Sequence, residues 1–198
     1  MFYDLTLPIA LKDNLSAWTQ ADALPAACIL AEQPLAMATH LKTSGFLYQG
    51  GQMINEIEIE KLVGTCQVIR IPDAAKKIEL KHLIKQKIIP HSKIFLKSKV
   101  SSKWDKAGRP PTPVPMDMDA AVYLADRQLT MLGIDSWCLD SWDTNDRPVE
   151  QLLLAKKMLL VENVNMDEVG PGSYEISCLP MLIINTGIAP CRVILKKK

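Results

Sequence analysis

The chain is 198 residues long, enough for one domain of ordinary size with a buried core. Hydrophobic residues make up 48% and charged residues 23%, and the net charge of +1 gives no electrostatic case for a nucleic-acid or membrane partner. The uncharged apolar runs fall short of a membrane span, and MFYDLTLPIAL lacks the basic and apolar regions of a signal peptide, so a cytoplasmic setting is expected. The five cysteines, Cys28, Cys66, Cys138, Cys178 and Cys191, are widely spaced and include no Cys-x-x-Cys pair. That pattern favours buried free thiols over disulfides or a zinc site.

Tyr3–Ile9 reads as a short first strand. Residues 11–34 show no clean periodicity, and on the residues alone Trp18 within them reads as a loop aromatic over the core. If Leu35–Leu47 is extended, Ala36, Ala38, His40, Lys42, Ser44 and Phe46 share one face, with His40 and Lys42 side by side. Gly50-Gly51 makes a turn, and Gly64–Pro72, rich in β-branched residues, a strand. Ile78–Ile89 places Ile78, Leu80, Leu83, Ile84 and Ile88 at helical spacing, with lysines opposite. Ten lysines lie between Lys76 and Lys106, but no Arg and only Phe95 and Trp104 interleave them. That is a solvated face rather than a nucleic-acid patch.

Lys93–Val100 is a further strand, followed by Gly108–Pro115, a stiff proline-rich connection that is either a pocket lid or a plain loop. Asp117–Leu132 reads as an amphipathic helix with Asp117 or Asp119 near its N-terminus, leading into a strand at Leu132–Asp135. Pro148 opens a helix at Glu150–Lys157, and strands at Met158–Asn163, Ile176–Thr186 and Pro190–Leu195 complete a sheet. His82 and His91 read as surface residues, and Asp140, Trp142 and Asp143 as pocket-mouth or exposed loop residues. Strands alternating with helices predict a single mixed α/β domain over residues 1–198. There is no internal repeat, phosphate-binding glycine loop or nucleophile elbow, and no cofactor is expected.

Several short stretches carry a resemblance. They are Asp4-Leu5-Thr6, Thr39-His40, Gly50-Gly51, the run Ile54-Asn55-Glu56-Ile57 with Glu60, Leu62, Val63 and Gly64, then Leu132–Asp135, Val161-Glu162-Asn163 and Pro190-Cys191-Arg192. In these the chain resembles the putative cyclase family, whose best-known members are kynurenine formamidases. Its signature is His-x-Gly-Thr-His-x-Asp-x-Pro-x-His, then a Gly-Gly turn and a segment reading Ile-Asp-Glu-Ile-Pro-Leu-Glu-Asp-Leu-Val-Gly. The resemblance implies a β-rich core with flanking helices, a small-molecule substrate, and homodimers or larger homo-oligomers with pockets near subunit interfaces. It also implies where metal ligands would lie. His40 and Glu162 are kept, whereas Ala36, Lys42 and Glu150 occupy three other ligand positions and Phe46 that of the acid/base His. Trp18, Thr39, Phe46 and Trp104 fall where substrate would be bound.

Ala36 offers no ligand, and an ammonium about 4 Å from a divalent ion repels it by roughly 8 kcal/mol at an effective dielectric near 20. Lys42 lying between Glu150 and Glu162 would take the place of the metal. His40, Lys42, Glu150 and Glu162 are thus the expected catalytic set, with Lys42 as electrophile or Schiff-base amine and His40 or Glu162 as base. The leading expectation is a metal-independent enzyme of specialised biosynthesis acting on a small carbonyl or amide compound by cyclisation, dehydration or ring opening. The alternatives are a non-catalytic binding or structural protein, and a zinc-dependent arylformamidase-like hydrolase using His40, Glu150 and Glu162.

Overall fold

Along the central strands, successive side chains point alternately into a barrel and out towards helices, and both sets are buried, whereas the strands at the carboxyl-terminal side leave alternate residues exposed. The computed structural model describes residues 1–6, 38–100, 112–141 and 146–198. In chain order the strands are β1 (Phe2–Asp4), β2 (His40–Lys42), β3 (Val63–Arg70), β4 (Lys93–Lys97), β5 (Met131–Ile134), β6 (Leu159–Glu162), β7 (Gly172–Pro180) and β8 (Ile188–Lys197). The helices are α1 (Ile59–Leu62), α2 (Leu80–Leu83), α3 (Met118–Asp126) and α4 (Pro148–Ala155), with single 3₁₀ turns at Ser44–Phe46 and Ile54–Glu56.

The sheet runs β1-β8-β2-β6-β5-β4-β3-β7, and β7 pairs back onto β8, which closes it into a barrel. The β3, β4, β5 and β6 neighbours are parallel, while β2, β7 and β8 pair antiparallel. Parallel pairing needs crossovers, and these carry α2, α3 and α4 over one outer face. Ile94 and Leu96 point to that helical layer while Phe95 between them fills the barrel, and none of the three is exposed. Gly133 lies beneath the Phe95 ring, where a Cβ would come within 2.1 Å of it. The mixed α/β architecture with a β-rich core is as expected.

Two expected helices are shorter than their periodicity. Only Leu80–Leu83 of the Ile78–Ile89 stretch is α-helical, because Ile78 is drawn into a bridge with Met116 and the chain leaves the helix after Ile84. Lys76, Lys77, Lys81, Lys85 and Lys87 are exposed, on turns as well as on that short helix. The Asp117–Leu132 helix ends at Asp126, since Gln128 takes a left-handed backbone (φ 51°) and Met131 enters β5. Asp117 caps its start, accepting from Ala120 N at 2.8 Å. Pro8 and Ile9 of the expected first strand lie outside the described residues. No helix among the described residues is long and apolar enough to cross a membrane.

Candidate functional site

The register of β2 against β6 sets His40 opposite Glu162 and Lys42 opposite Leu160. Leu41 enters the barrel, so His40 and Lys42 point together towards the helical layer. The first turn of α4 meets them there with Glu150. Asp140 fixes that turn, its carboxylate accepting from Val149 N at 2.9 Å and Glu150 N at 3.0 Å, and Pro148 pre-sets the helical backbone. Arg147, just before it, holds a left-handed backbone with φ 41°, uncommon for a residue with a side chain. Glu162 ends β6, and Trp137 and Cys138 follow β5. The site thus lies at the carboxyl ends of parallel strands, where open α/β sheets also place their ligands.

Lys42 Nζ donates to Glu150 Oε1 and, at 2.8 Å, to Glu162 Oε2. Glu162 Oε2 is also 3.1 Å from His40 Nε2, while His40 Nδ1 lies 2.9 Å from the Ala38 carbonyl. The Phe46 ring sits 4.8 Å from the ammonium, and Arg147 Nη1 lies 3.6 Å from Glu150 Oε2. His40, Lys42, Glu150 and Glu162 are all buried.

Burial disfavours a charged lysine, yet Glu162 and Glu150 outweigh it and hold the Lys42 ammonium well above the ordinary range. Burial likewise pushes Glu162 upward, but the Lys42 charge and the His40 hydrogen bond reverse this and bring it to about 2. For Glu150 burial prevails over Lys42, and its carboxyl is raised. The close Lys42 contact alone would argue for lowering. The charge of Glu162, which shares that ammonium, adds to burial, and Arg147 only partly offsets it, so Glu150 is the readier proton acceptor.

A pocket of about 70 Å³ opens onto this cluster, lined by His40, Lys42, Phe46, Trp137, Cys138, Arg147 and Ile188. Glu150 and Glu162 stand behind Lys42 rather than in the wall. Among the described residues the wall therefore offers an ammonium and a guanidinium but no carboxylate. Burial pushes the Cys138 thiol up to about 12, which leaves it a neutral thiol rather than a nucleophilic thiolate. Among the described residues no three His, Cys, Asp or Glu side chains are grouped to hold a metal ion.

Of the residues expected at the site, His40, Lys42, Glu150 and Glu162 come together, and Phe46 joins them as a wall. Thr39 does not. One residue out of phase with His40, it turns away and donates to the Asn163 carbonyl at 2.6 Å, tying β2 to the chain after β6. Asp140 is neither pocket mouth nor exposed, being buried as the cap of α4. Ala36, Trp18, Trp104, Trp142 and Asp143 lie outside the described residues. Trp137, Cys138, Arg147 and Ile188 were not expected in the wall, and only the Arg147-Pro148 helix start hinted at one of them.

The putative cyclase family profile matches residues 3–141. The chain belongs to the putative cyclase family. A kynurenine formamidase of Salinibacter ruber is 25% identical to it over 158 residues, covering 80% of this chain and 74% of the relative. A solved structure described as a potential metal-dependent hydrolase with cyclase activity superposes with a TM-score of 0.77 at 21% identity, covering 100% of this chain and 99% of the other. Isatin hydrolase A from Labrenzia aggregata superposes with a TM-score of 0.72 at 18% identity, covering 98% and 93%. At such identities the structural likeness speaks for the putative cyclase fold. The sequence relatives are hydrolases, and the retained Thr39-His40 and Glu162 lie in that fold with Lys42 between them and Glu150.

Proposed function

We propose that this putative cyclase is a metal-independent enzyme acting on a small carbonyl or amide compound. The observation that carries this reading is the Lys42 ammonium, lodged between Glu150 and Glu162 and facing the pocket. The donor set does not fit a divalent ion. The two carboxylates that would bind it already hold a charged amine, and His40 Nε2 is engaged with the same oxygen of Glu162. The free thiols Cys66, Cys138, Cys178 and Cys191 support a reducing, cytoplasmic setting.

An amine held so firmly protonated has no lone pair for a Schiff base, so the electrophilic role is the better supported one. A substrate carbonyl oxygen entering between Phe46, Trp137 and Ile188 meets Lys42 and Arg147, whose charges stabilise the oxyanion that forms when the carbonyl carbon is attacked. Lys42 then gives that oxyanion a proton and regains one from Glu150 when that carboxyl is protonated, and the proton released by the attacking water, hydroxyl or amine restores Glu150. Glu162 remains charged throughout and, with His40, keeps the ammonium in position. Addition across a carbonyl, ring closure and its reverse share this requirement.

A second reading is a non-catalytic binding or structural protein, in which Lys42 between Glu150 and Glu162 is only a buried salt bridge that fills the site. Both readings are tested by incubating the protein with N-formyl amines, lactams, cyclic imides and lactones, with and without chelator, and following products by mass spectrometry. The enzyme reading expects turnover of at least one class, insensitive to chelator and lost in Lys42→Met while the circular dichroism spectrum is retained. Binding without turnover would support the second reading instead, and chelator-sensitive turnover would overturn metal independence.

A further inference from the structure

The side chains that line the Lys42 pocket are rich in hydrogen-bond donors and poor in acceptors. Lys42 and Arg147 bring N–H donors and no acceptor, and the Trp137 indole is likewise a donor only. Cys138 is a neutral thiol, weak in both senses. Both ring nitrogens of His40 are engaged, Nδ1 with the Ala38 carbonyl and Nε2 with Glu162. The carboxylates of Glu150 and Glu162 stand behind Lys42, with side chains 2% and 1% exposed. Among the described residues, then, a ligand N–H finds no strong acceptor side chain in the wall, whereas ligand oxygens find two cations.

Those cations are also spaced for a carboxylate. On the protein side they bracket that of Glu150, with Lys42 Nζ on Oε1 and Arg147 Nη1 3.6 Å from Oε2. Both line the pocket as well, so a second pair of oxygens on adjacent atoms fits between them on the open side. The nearer charges set the sign of the field there. A ligand oxygen touches the ammonium and the guanidinium, and meets Glu150 and Glu162 only across them. Arg147 moreover holds its left-handed backbone, φ 41°, directly before Pro148, where extended backbone is the norm. So uncommon a conformation persists only where the surroundings over-determine it, and functional sites are where such residues collect.

We propose, resting on the carbonyl reading above, that the pocket takes a small 2-oxo acid, its carboxylate and neighbouring keto oxygen held together between Lys42 and Arg147. Such a molecule carries acceptor oxygens, a negative charge and no N–H donor. An amide or lactam of the same size brings an N–H that the wall does not answer. Lys42, with its side chain 8% exposed, is the deeper cation and meets the keto oxygen, where the oxyanion forms. Arg147, 39% exposed, lies beside it and takes the carboxylate nearer the rim. Arg147 thereby sets the specificity for an anion.

The test is titration calorimetry of the full chain at about pH 7 with pyruvate, with pyruvamide as its uncharged counterpart and with propionate, which lacks the keto oxygen. Pyruvate should bind about tenfold or more tightly than either of the others. Arg147→Gln should bring pyruvate down to the level of pyruvamide, and Arg147→Lys, which restores the charge without the fork, to an intermediate level. Circular dichroism checks the variants, and the three ligands on the wild type decide the matter even if a variant fails to fold. Equal affinity for pyruvate and pyruvamide, no binding of pyruvate, or pyruvate binding untouched by Arg147→Gln would each overturn the proposal. Turnover is read separately. Pyruvate bound at the expected ratio but never converted would sink the enzyme reading and keep this site, whereas turnover of neutral amides or lactones with no preference for pyruvate would do the reverse.

Discussion

Replacing Lys42 by Met removes the only ammonium that joins Glu150 to Glu162 among the described residues, with little change in volume. At 2.8 Å the Lys42–Glu162 attraction alone is about 6 kcal/mol for an effective dielectric near 20, before desolvation is subtracted. A second route gives a smaller net figure. The fall of the Glu162 carboxyl from 4.5 to about 2 corresponds to roughly 3 kcal/mol of stability at neutral pH. Buried pairs broken from one side generally lose 3–5 kcal/mol, so Lys42→Met should destabilise by about 3 to 4 kcal/mol at about pH 7.

The pH dependence then changes sign. In the wild type Glu162 titrates below its unfolded value, so its contribution is present above the unfolded carboxylate range and fades as pH falls towards 2. Without Lys42, burial raises both carboxyls above their unfolded values. The resulting penalty is absent below the unfolded range and grows as pH rises. Urea unfolding of both proteins at about pH 7 and about pH 4.5 should therefore show the larger difference at the higher pH, and Glu150→Gln added to Lys42→Met should recover part of it. An equal loss at both pH values, or a loss under about 1 kcal/mol at neutral pH, would refute the ion-cluster reasoning.

Two further outcomes follow from the same geometry. A Cβ at Gly187 would meet Phe46 N at 2.0 Å and Gly45 C at 2.2 Å, both backbone atoms, so Gly187→Ala should lower stability by about 1–3 kcal/mol and shift the Phe46 ring off Lys42. Thermal melting together with Phe46 ring chemical shifts would show this, and a variant indistinguishable from wild type would contradict the tight approach. Added zinc should leave the melting temperature of the wild type unchanged but raise that of Lys42→Asp, by the equivalent of about 2.7 kcal/mol at a hundredfold excess over its dissociation constant. A rise in the wild type would mean that Lys42 gives way to the ion.

Much of the fold was legible because it depends on chain neighbours. A run rich in β-branched residues marked β3, Pro148 marked the start of α4, and an aspartate at 117 or 119 marked that of α3, where Asp117 is the cap. Periodicity misled where another element intervened. The bridge between Ile78 and Met116 claimed a residue from the expected first helix, and β5 claimed Met131 and Leu132 from the second. The His40-Lys42 pairing on one face was legible for a similar reason, since side chains two apart in a strand share a side whatever surrounds them.

By itself the sequence determined the family, and it set His40 and Lys42 on one face provided the chain there is extended, with Lys42 and Glu150 at positions where the resemblance implies ligands. Tertiary structure decided what those residues became. Lys42 and Glu150 are 108 residues apart, and their contact depends on the β2–β6 register, the crossover that lays α4 over it, and the Asp140 cap that orients the first turn. Tertiary structure also decided which carboxyl is the readier proton acceptor, because burial and the sharing of one ammonium between two acids exist only once the chain has folded. The uncharged 179–191 run, apolar in sequence like any core strand, became an exposed face for one reason. The barrel closes through β7 and β8 and leaves the loop between them outside.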